Sequence, residues 1–172
     1  MSGKFFSFLI IVILLASCSA EKKAIKAFNS GKYQTSIGLF KKLAAGSNPN
    51  TTARSNYFIA ESYRLSNRTK EAEAYYAKAG GRGIDKDSIQ FYYAESLKAN
   101  GKYEEAKKQL EDLAANTTIT GLKDRANAAI KGIDYIVKLD ENPSFYKVKN
   151  MEAINTNYSE YSPVFLNNEL YF

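Results

Sequence analysis

Apolar side chains recur at helical spacing through most of the chain, and the pattern predicts helices over residues 20–30, 33–45, 51–66, 69–79, 86–99, 103–115 and 120–140. Short polar breaks separate paired segments at Ser30-Gly31-Lys32, Ser66-Asn67-Arg68 and Asn100-Gly101-Lys102. Each break carries Gly or Asn, which tolerate the left-handed backbone that closes a helix. In the seventh segment Leu122, Ala126, Ala129, Ile130, Ile133, Ile136, Val137 and Leu139 share one stripe, as expected of a helix that covers the last pair. Asn142-Pro143 then ends the helical pattern. From Ile154 onward the chain reads as two strands around a turn at Asn167-Asn168-Glu169, with Leu170-Tyr171-Phe172 in the second.

The helical segments repeat. Tyr57-Phe58-Ile59-Ala60-Glu61-Ser62 returns as Phe91-Tyr92-Tyr93-Ala94-Glu95-Ser96 after 34 residues, and Arg64, Asn67, Ala72 and Tyr76 map onto Lys98, Gly101, Ala106 and Leu110. An earlier copy uses Ala24, Gly31, Tyr33, Ser36 and Phe40, displaced by 36 because Ser47-Asn48-Pro49-Asn50 is expected to lie in the intervening loop. Period and residue types resemble the tetratricopeptide repeat. That resemblance implies an all-α solenoid of helical hairpins, about three repeats with a capping helix.

Small residues at Ala60, Ala72, Ala94 and Ala106 let paired helices approach, while Tyr63, Tyr76, Leu97 and Leu110 fill the space between them. Tetratricopeptide stacks line a concave surface with the first helix of each pair. The resemblance therefore implies a groove lined by Arg54, Tyr57, Glu61 and Arg64 from the second repeat and Phe91, Glu95 and Lys98 from the third. Such a groove would hold a protein segment by ring packing and charge pairing. The alternative is that Tyr57 and Phe91 pack inside the stack.

Upstream of the repeats, Lys4 precedes an apolar run from Phe5 to Leu15, too short to span a bilayer, which needs roughly 20 residues. Leu15-Ala16-Ser17-Cys18 follows. This tetrad resembles the lipobox of bacterial lipoproteins, so residues 1–17 are expected to be a cleaved signal and Cys18 the lipidated first residue of the mature chain. Two or three acyl chains, at roughly 0.8 kcal/mol per buried methylene, would hold it on a membrane.

Composition narrows the chemistry. The 172 residues include no His and one Cys, which excludes Ser-His-Asp and Cys-His catalysis and the usual zinc sites; no catalytic residue, metal or cofactor is expected. Glu104-Glu105 and Glu111-Asp112 are adjacent acids that point about 100° apart on a helix and do not share a site. Gly80-Gly81-Arg82-Gly83 follows a helix without the Lys-Ser/Thr of phosphate loops and reads as an inter-repeat loop. The formal charge of +6 is interleaved with acids and lacks a basic run with aromatics, so nucleic acid is not an expected partner.

The tail adds a second resemblance. Tyr158-Ser159-Glu160-Tyr161-Ser162-Pro163, a turn and Leu170-Tyr171-Phe172 are similar to the start of the WD-like β-propeller in envelope lipoproteins that carry tetratricopeptides, a propeller and an OmpA-like domain in that order. Domains are accordingly expected as a signal over 1–17, a solenoid with cap over 18–140, a linker over 141–153 and the start of an incomplete propeller blade over 154–172. The resemblance implies a non-enzymatic, lipid-anchored outer-membrane adaptor that docks protein partners of a type IX secretion or gliding complex. Peptidoglycan would be reached only through a domain outside this chain. Alternatives are the tetratricopeptide lipoprotein of the barrel-assembly machinery and a SusD-like glycan-binding lipoprotein. Ser19-Ala20-Glu21-Lys22-Lys23 lacks the acidic run of surface-exported lipoproteins, which by resemblance implies a periplasm-facing chain. Asp87-Ser88-Ile89 fits a short O-glycosylation pattern, or more simply helix capping.

Overall fold

The computed structural model describes residues 19–141 and, in the tail, Val164–Leu166 and Glu169–Tyr171. Cys18, the signal segment, positions 142–163 and the tail positions around the strands lie outside the described residues, and with them the lipidation site and most of the expected linker. Seven helices are present among the described residues: α1 (residues 19–29), α2 (Tyr33–Ala44), α3 (Pro49–Leu65), α4 (Thr69–Tyr76), α5 (Lys86–Ala99), α6 (Tyr103–Asn116) and α7 (Thr120–Glu141). They form three helical hairpins and a seventh helix, the tetratricopeptide-like stack that the sequence pattern predicts.

Two helix ends depart from expectation by more than one residue. Pro49 and Asn50, expected in a loop, begin α3, because Pro needs no donor in the first turn and the Asn48 side chain accepts from Thr51 N at 3.1 Å. At the other end of the second hairpin α4 stops at Tyr76, three residues early. Lys78 and Ala79 there donate to the carbonyls of Tyr75 and Tyr76, three residues back, and the helix tightens into the loop that follows.

All three hinges have one geometry. Gly31, Asn67 and Gly101 adopt positive φ of 69°, 58° and 76°. The next residue donates five positions back each time: Lys32 to Ala27, Arg68 to Tyr63 and Lys102 to Leu97, at 3.0, 2.9 and 3.0 Å. This six-to-one bond caps the first helix of each pair and sets the angle of the second.

The core follows the repeat. Ala60, Ala72, Ala94 and Ala106 are fully buried, and Tyr63, Tyr76, Leu97 and Leu110 fill the space beside them. One cluster joins Ala24, Ile37 and Phe40 to Ile59, Tyr63 and Tyr76; a second joins Phe91, Leu97, Leu110 and Leu113 to Leu122, Ala126 and Ile133 of α7. Tyr92 and Tyr93 pack against both. On α7 the buried stripe ends at Ile133: Val137 and Leu139, expected in it, are exposed. Polar ties add register between hairpins. Gln34 accepts from Arg68 at 3.0 Å, and Glu73 accepts from Asn100 and Lys102 at 2.7 Å each.

The chain divides into two units, Met1–Ile136 and Val137–Phe172, with the boundary inside α7 rather than at its end. In the second, β1 (Val164–Leu166) pairs antiparallel with β2 (Glu169–Tyr171), Leu166 opposite Glu169. Glu169, expected in the turn, is thus the first residue of the second strand.

Candidate partner-binding groove

Side chains of α3, α5 and α7, with Thr69 at the start of α4, come together on one side of the stack. A groove of about 430 Å³ lies there, lined by Arg64, Thr69, Phe91, Tyr92, Glu95, Lys98, Arg125, Ala128 and Ala129. Of the residues expected to line such a groove, Arg64, Phe91, Glu95 and Lys98 meet in it. Arg54, Tyr57 and Glu61 do not.

Arg54 is drawn elsewhere. Its guanidinium pairs with Glu21 of α1 at 2.8 Å, donates to the Arg82 carbonyl at 3.1 Å and covers the Phe58 ring. It straps the loop after α4 onto α3, where Gly80 N and Arg82 N donate to the Ala53 carbonyl and the Asn50 side chain. Gly81 sits beneath that strap at φ 99°, and a Cβ on it would stand 3.0 Å from Arg54 Cβ. Tyr57 is half-buried with its ring edge-on to Phe58, and burial, then the nearby Glu61 charge, raises its phenol pKa.

Glu61, expected on the surface, is 5% exposed. Burying a carboxylate requires partners, and three donors converge on it. Arg64 Nη2 and Nε donate at 2.6 and 3.1 Å, and the Tyr76 hydroxyl from α4 makes a short bond to Oε1. Burial, then the Glu61 charge, pushes the Tyr76 phenol far above its usual range. The Glu61 bonds also raise the Arg64 guanidinium pKa further. Glu61 thus works from below, fixing Arg64 with its charge at the rim.

Aromatic faces organise the cations. Arg64 Cζ lies 4.1 Å from the centre of the Tyr92 ring, which stacks on Tyr76. Arg125 of α7 lies 4.3 Å from the Phe91 ring and 5.6 Å from Tyr92, with Nη2 3.5 Å from the Tyr92 hydroxyl. Phe91 is therefore the buried floor, with Arg125 above it. Lys98 pairs with Glu95 at 2.7 Å. Among the described residues Arg125 has no carboxylate within ion-pair reach, so the groove holds one uncompensated positive charge beside apolar walls of Ala128 and Ala129.

Sequence reasoning missed Arg125, Tyr92 and Thr69. For Arg125 a signal existed: it precedes Ala126 and sits four residues before Ala129, on the edge of the stripe that packs α7 against α5. Ser88 lies in the first turn of α5 and donates to Asp85, the N-cap, while Asp87 accepts from Thr117 at 2.6 Å. No group of His, Cys, Asp and Glu among the described residues could hold a metal ion, and none of the described helices is long and apolar enough to cross a membrane.

No protein-family model and no curated protein matches the chain. The fold is similar to that of the type III secretion translocator chaperone SycD of Yersinia enterocolitica, at 20% sequence identity and a TM-score of 0.57, over 70% of this chain and 84% of that one. The likeness is one of fold, a tetratricopeptide-like stack of helical hairpins.

Proposed function

We propose that this chain is a non-enzymatic docking adaptor, tethered to the outer membrane through lipid on Cys18 and facing the periplasm, whose groove captures a protein segment of an envelope complex. The observation that carries the docking step is Arg125, a cation held over the Phe91 and Tyr92 rings with no acid paired to it among the described residues. A partner segment supplying a carboxylate there and an apolar side chain against Ala128 and Ala129 would satisfy both halves of the groove. Glu95 and Lys98 add one charge of each sign beside it, which fixes the segment's direction more than its affinity. The order of lipobox, repeats and propeller-like tail favours a type IX secretion or gliding complex as the setting. A chaperone role toward a secreted protein is the second reading, favoured by the likeness to a secretion chaperone.

The test is affinity purification of the chain from envelope membranes, unaltered and as the Arg64→Ala/Lys98→Ala/Arg125→Ala variant. A defined partner retained by the first and lost by the second, at equal helicity, supports the groove. Equal recovery overturns it. Intact mass of the detergent-extracted chain reads the tether directly, since an unmodified Cys18 would remove it.

A further inference from the structure

The excess charge, expected to be interleaved with acids along the chain, is instead concentrated near one end. Residues 19–48, which hold α1 and α2, carry six lysines and one acid, whereas residues 49–172 carry seventeen basic and seventeen acidic side chains. Of the net charge of +6 over residues 19–141, +5 therefore belongs to the first hairpin. Its single acid, Glu21, is taken by Arg54 at 2.8 Å. Lys41 is turned onto the Tyr63 and Tyr75 rings. The others, Lys22, Lys23, Lys26, Lys32 and Lys42, are exposed and make no ion pair among the described residues.

Three of them share one surface. Lys23, Lys26 and Lys32 line a shallow basin of about 210 Å³ with Ser30 and Leu39, and no carboxylate faces it. Ammonium groups gathered without counter-charge repel one another, and a surface that supplies anions relieves the repulsion. The lysine stems can lie along Leu39 with their heads directed outward, the posture that basic side chains take at a lipid headgroup layer. No aromatic ring lines the basin to stack a base, which disfavours a nucleic acid.

Position commits the occupant. Helix α1 is already formed at residue 19, one residue beyond Cys18, and Lys26 lies about 10 Å of helix rise further on, close to one Debye length. We infer that the first hairpin rests its lysine basin on an anionic phospholipid surface, which orients the stack and leaves the α3–α5–α7 groove to partners. This rests on the tether proposed above but uses different side chains and a different force.

The experiment takes the mature chain from residue 18 as the Cys18→Ser variant, so that no lipid attaches, and sediments it with vesicles. Binding is expected to phosphatidylcholine vesicles containing phosphatidylglycerol, to fall as salt is added, and to be absent with phosphatidylcholine alone. Lys23→Gln/Lys26→Gln/Lys32→Gln is expected to weaken it about a hundredfold, from about tenfold or less per lysine. Lys108→Gln/Lys123→Gln/Lys131→Gln changes the net charge equally on exposed sites elsewhere and is expected to leave it nearly unchanged. Equal loss in both triples, no binding to anionic vesicles, or binding to duplex DNA in their place would overturn the inference. If the unlipidated chain ignores vesicles while the native one still fractionates with membranes, only the basin fails. Vesicle binding by a chain whose native mass lacks lipid would sink the tether alone.

Discussion

Glu61 grips Arg64 with both oxygens, and the guanidinium so held lies 4.1 Å from the centre of the Tyr92 ring on the next hairpin. One buried carboxylate thus sets the direction of a groove cation and couples two repeats. The pair is shielded, the Glu61 side chain being 7% exposed and that of Arg64 26%, so that loss of either partner leaves the other's charge poorly solvated.

Removing Glu61 strands a partly buried guanidinium and a buried phenol. Glu61→Ala is expected to cost about 3 kcal/mol in urea unfolding. Glu95→Ala, at the equivalent position of the next repeat, breaks the more exposed pair with Lys98 and is expected to cost about 0.5 kcal/mol. Equal losses would mean that the Glu61 pair is an ordinary surface bridge.

Tyr76 is held protonated by burial and by the Glu61 charge. In an alkaline absorbance titration its ionisation is expected only with unfolding. Tyr76→Phe should therefore leave the native-state amplitude unchanged while reducing the amplitude of the unfolding step, and should cost about 1 to 2 kcal/mol by removing a donor from Glu61.

Ala72 and Ala106 have no exposed surface and sit within the two core clusters. Ala72→Leu or Ala106→Leu is expected to lose about 1 to 3 kcal/mol through overpacking. Melting temperatures equal to the parent's would show that the helices there can separate at no cost.

Asp85 caps α5, and bonds from the Ser88 hydroxyl, Ser88 N and Asp87 N hold its carboxyl below the ordinary range. A depressed pKa stabilises the fold above the unfolded value near 4 and loses that contribution as pH falls through the folded value. Asp85→Ala is expected to cost about 1 kcal/mol at neutral pH. The gap between variant and parent should close in acid, as read by urea unfolding in buffers above and below that range.

Gly81 combines positive φ with backbone neighbours at 3.2 Å. Gly81→Ala is expected to cost about 2 kcal/mol and to loosen the loop over α3, seen as faster amide exchange at Gly80 and Arg82. Gly101 has positive φ but open space around its absent side chain, so Gly101→Asn should cost less than about 1 kcal/mol.

The repeat was legible because its signals are local. Hinges at Gly31, Asn67 and Gly101 announce positive φ, and small residues at Ala60 and Ala94 announce close packing. Pro49 was misread because a proline signals both a loop and a helix start, and the deciding bond runs to Asn48. The groove was less legible. Glu61 and Glu95 are the same letter in the same place of two repeats, yet one is buried and the other half-exposed. Their difference stands fifteen residues on, where Tyr76 offers a hydroxyl and Leu110 offers none.

The sequence by itself determined the helices, their hinges and the residues between paired helices, since each depends on neighbours within about one turn or one 34-residue period. Its charge count also determined that the first hairpin is basic. Tertiary structure alone decided which charges are free. Arg54 is consumed by Glu21, Glu61 is drawn inward by Tyr76, and Arg125 arrives from α7 to stand over Phe91, because stacking brings together side chains that no local pattern relates.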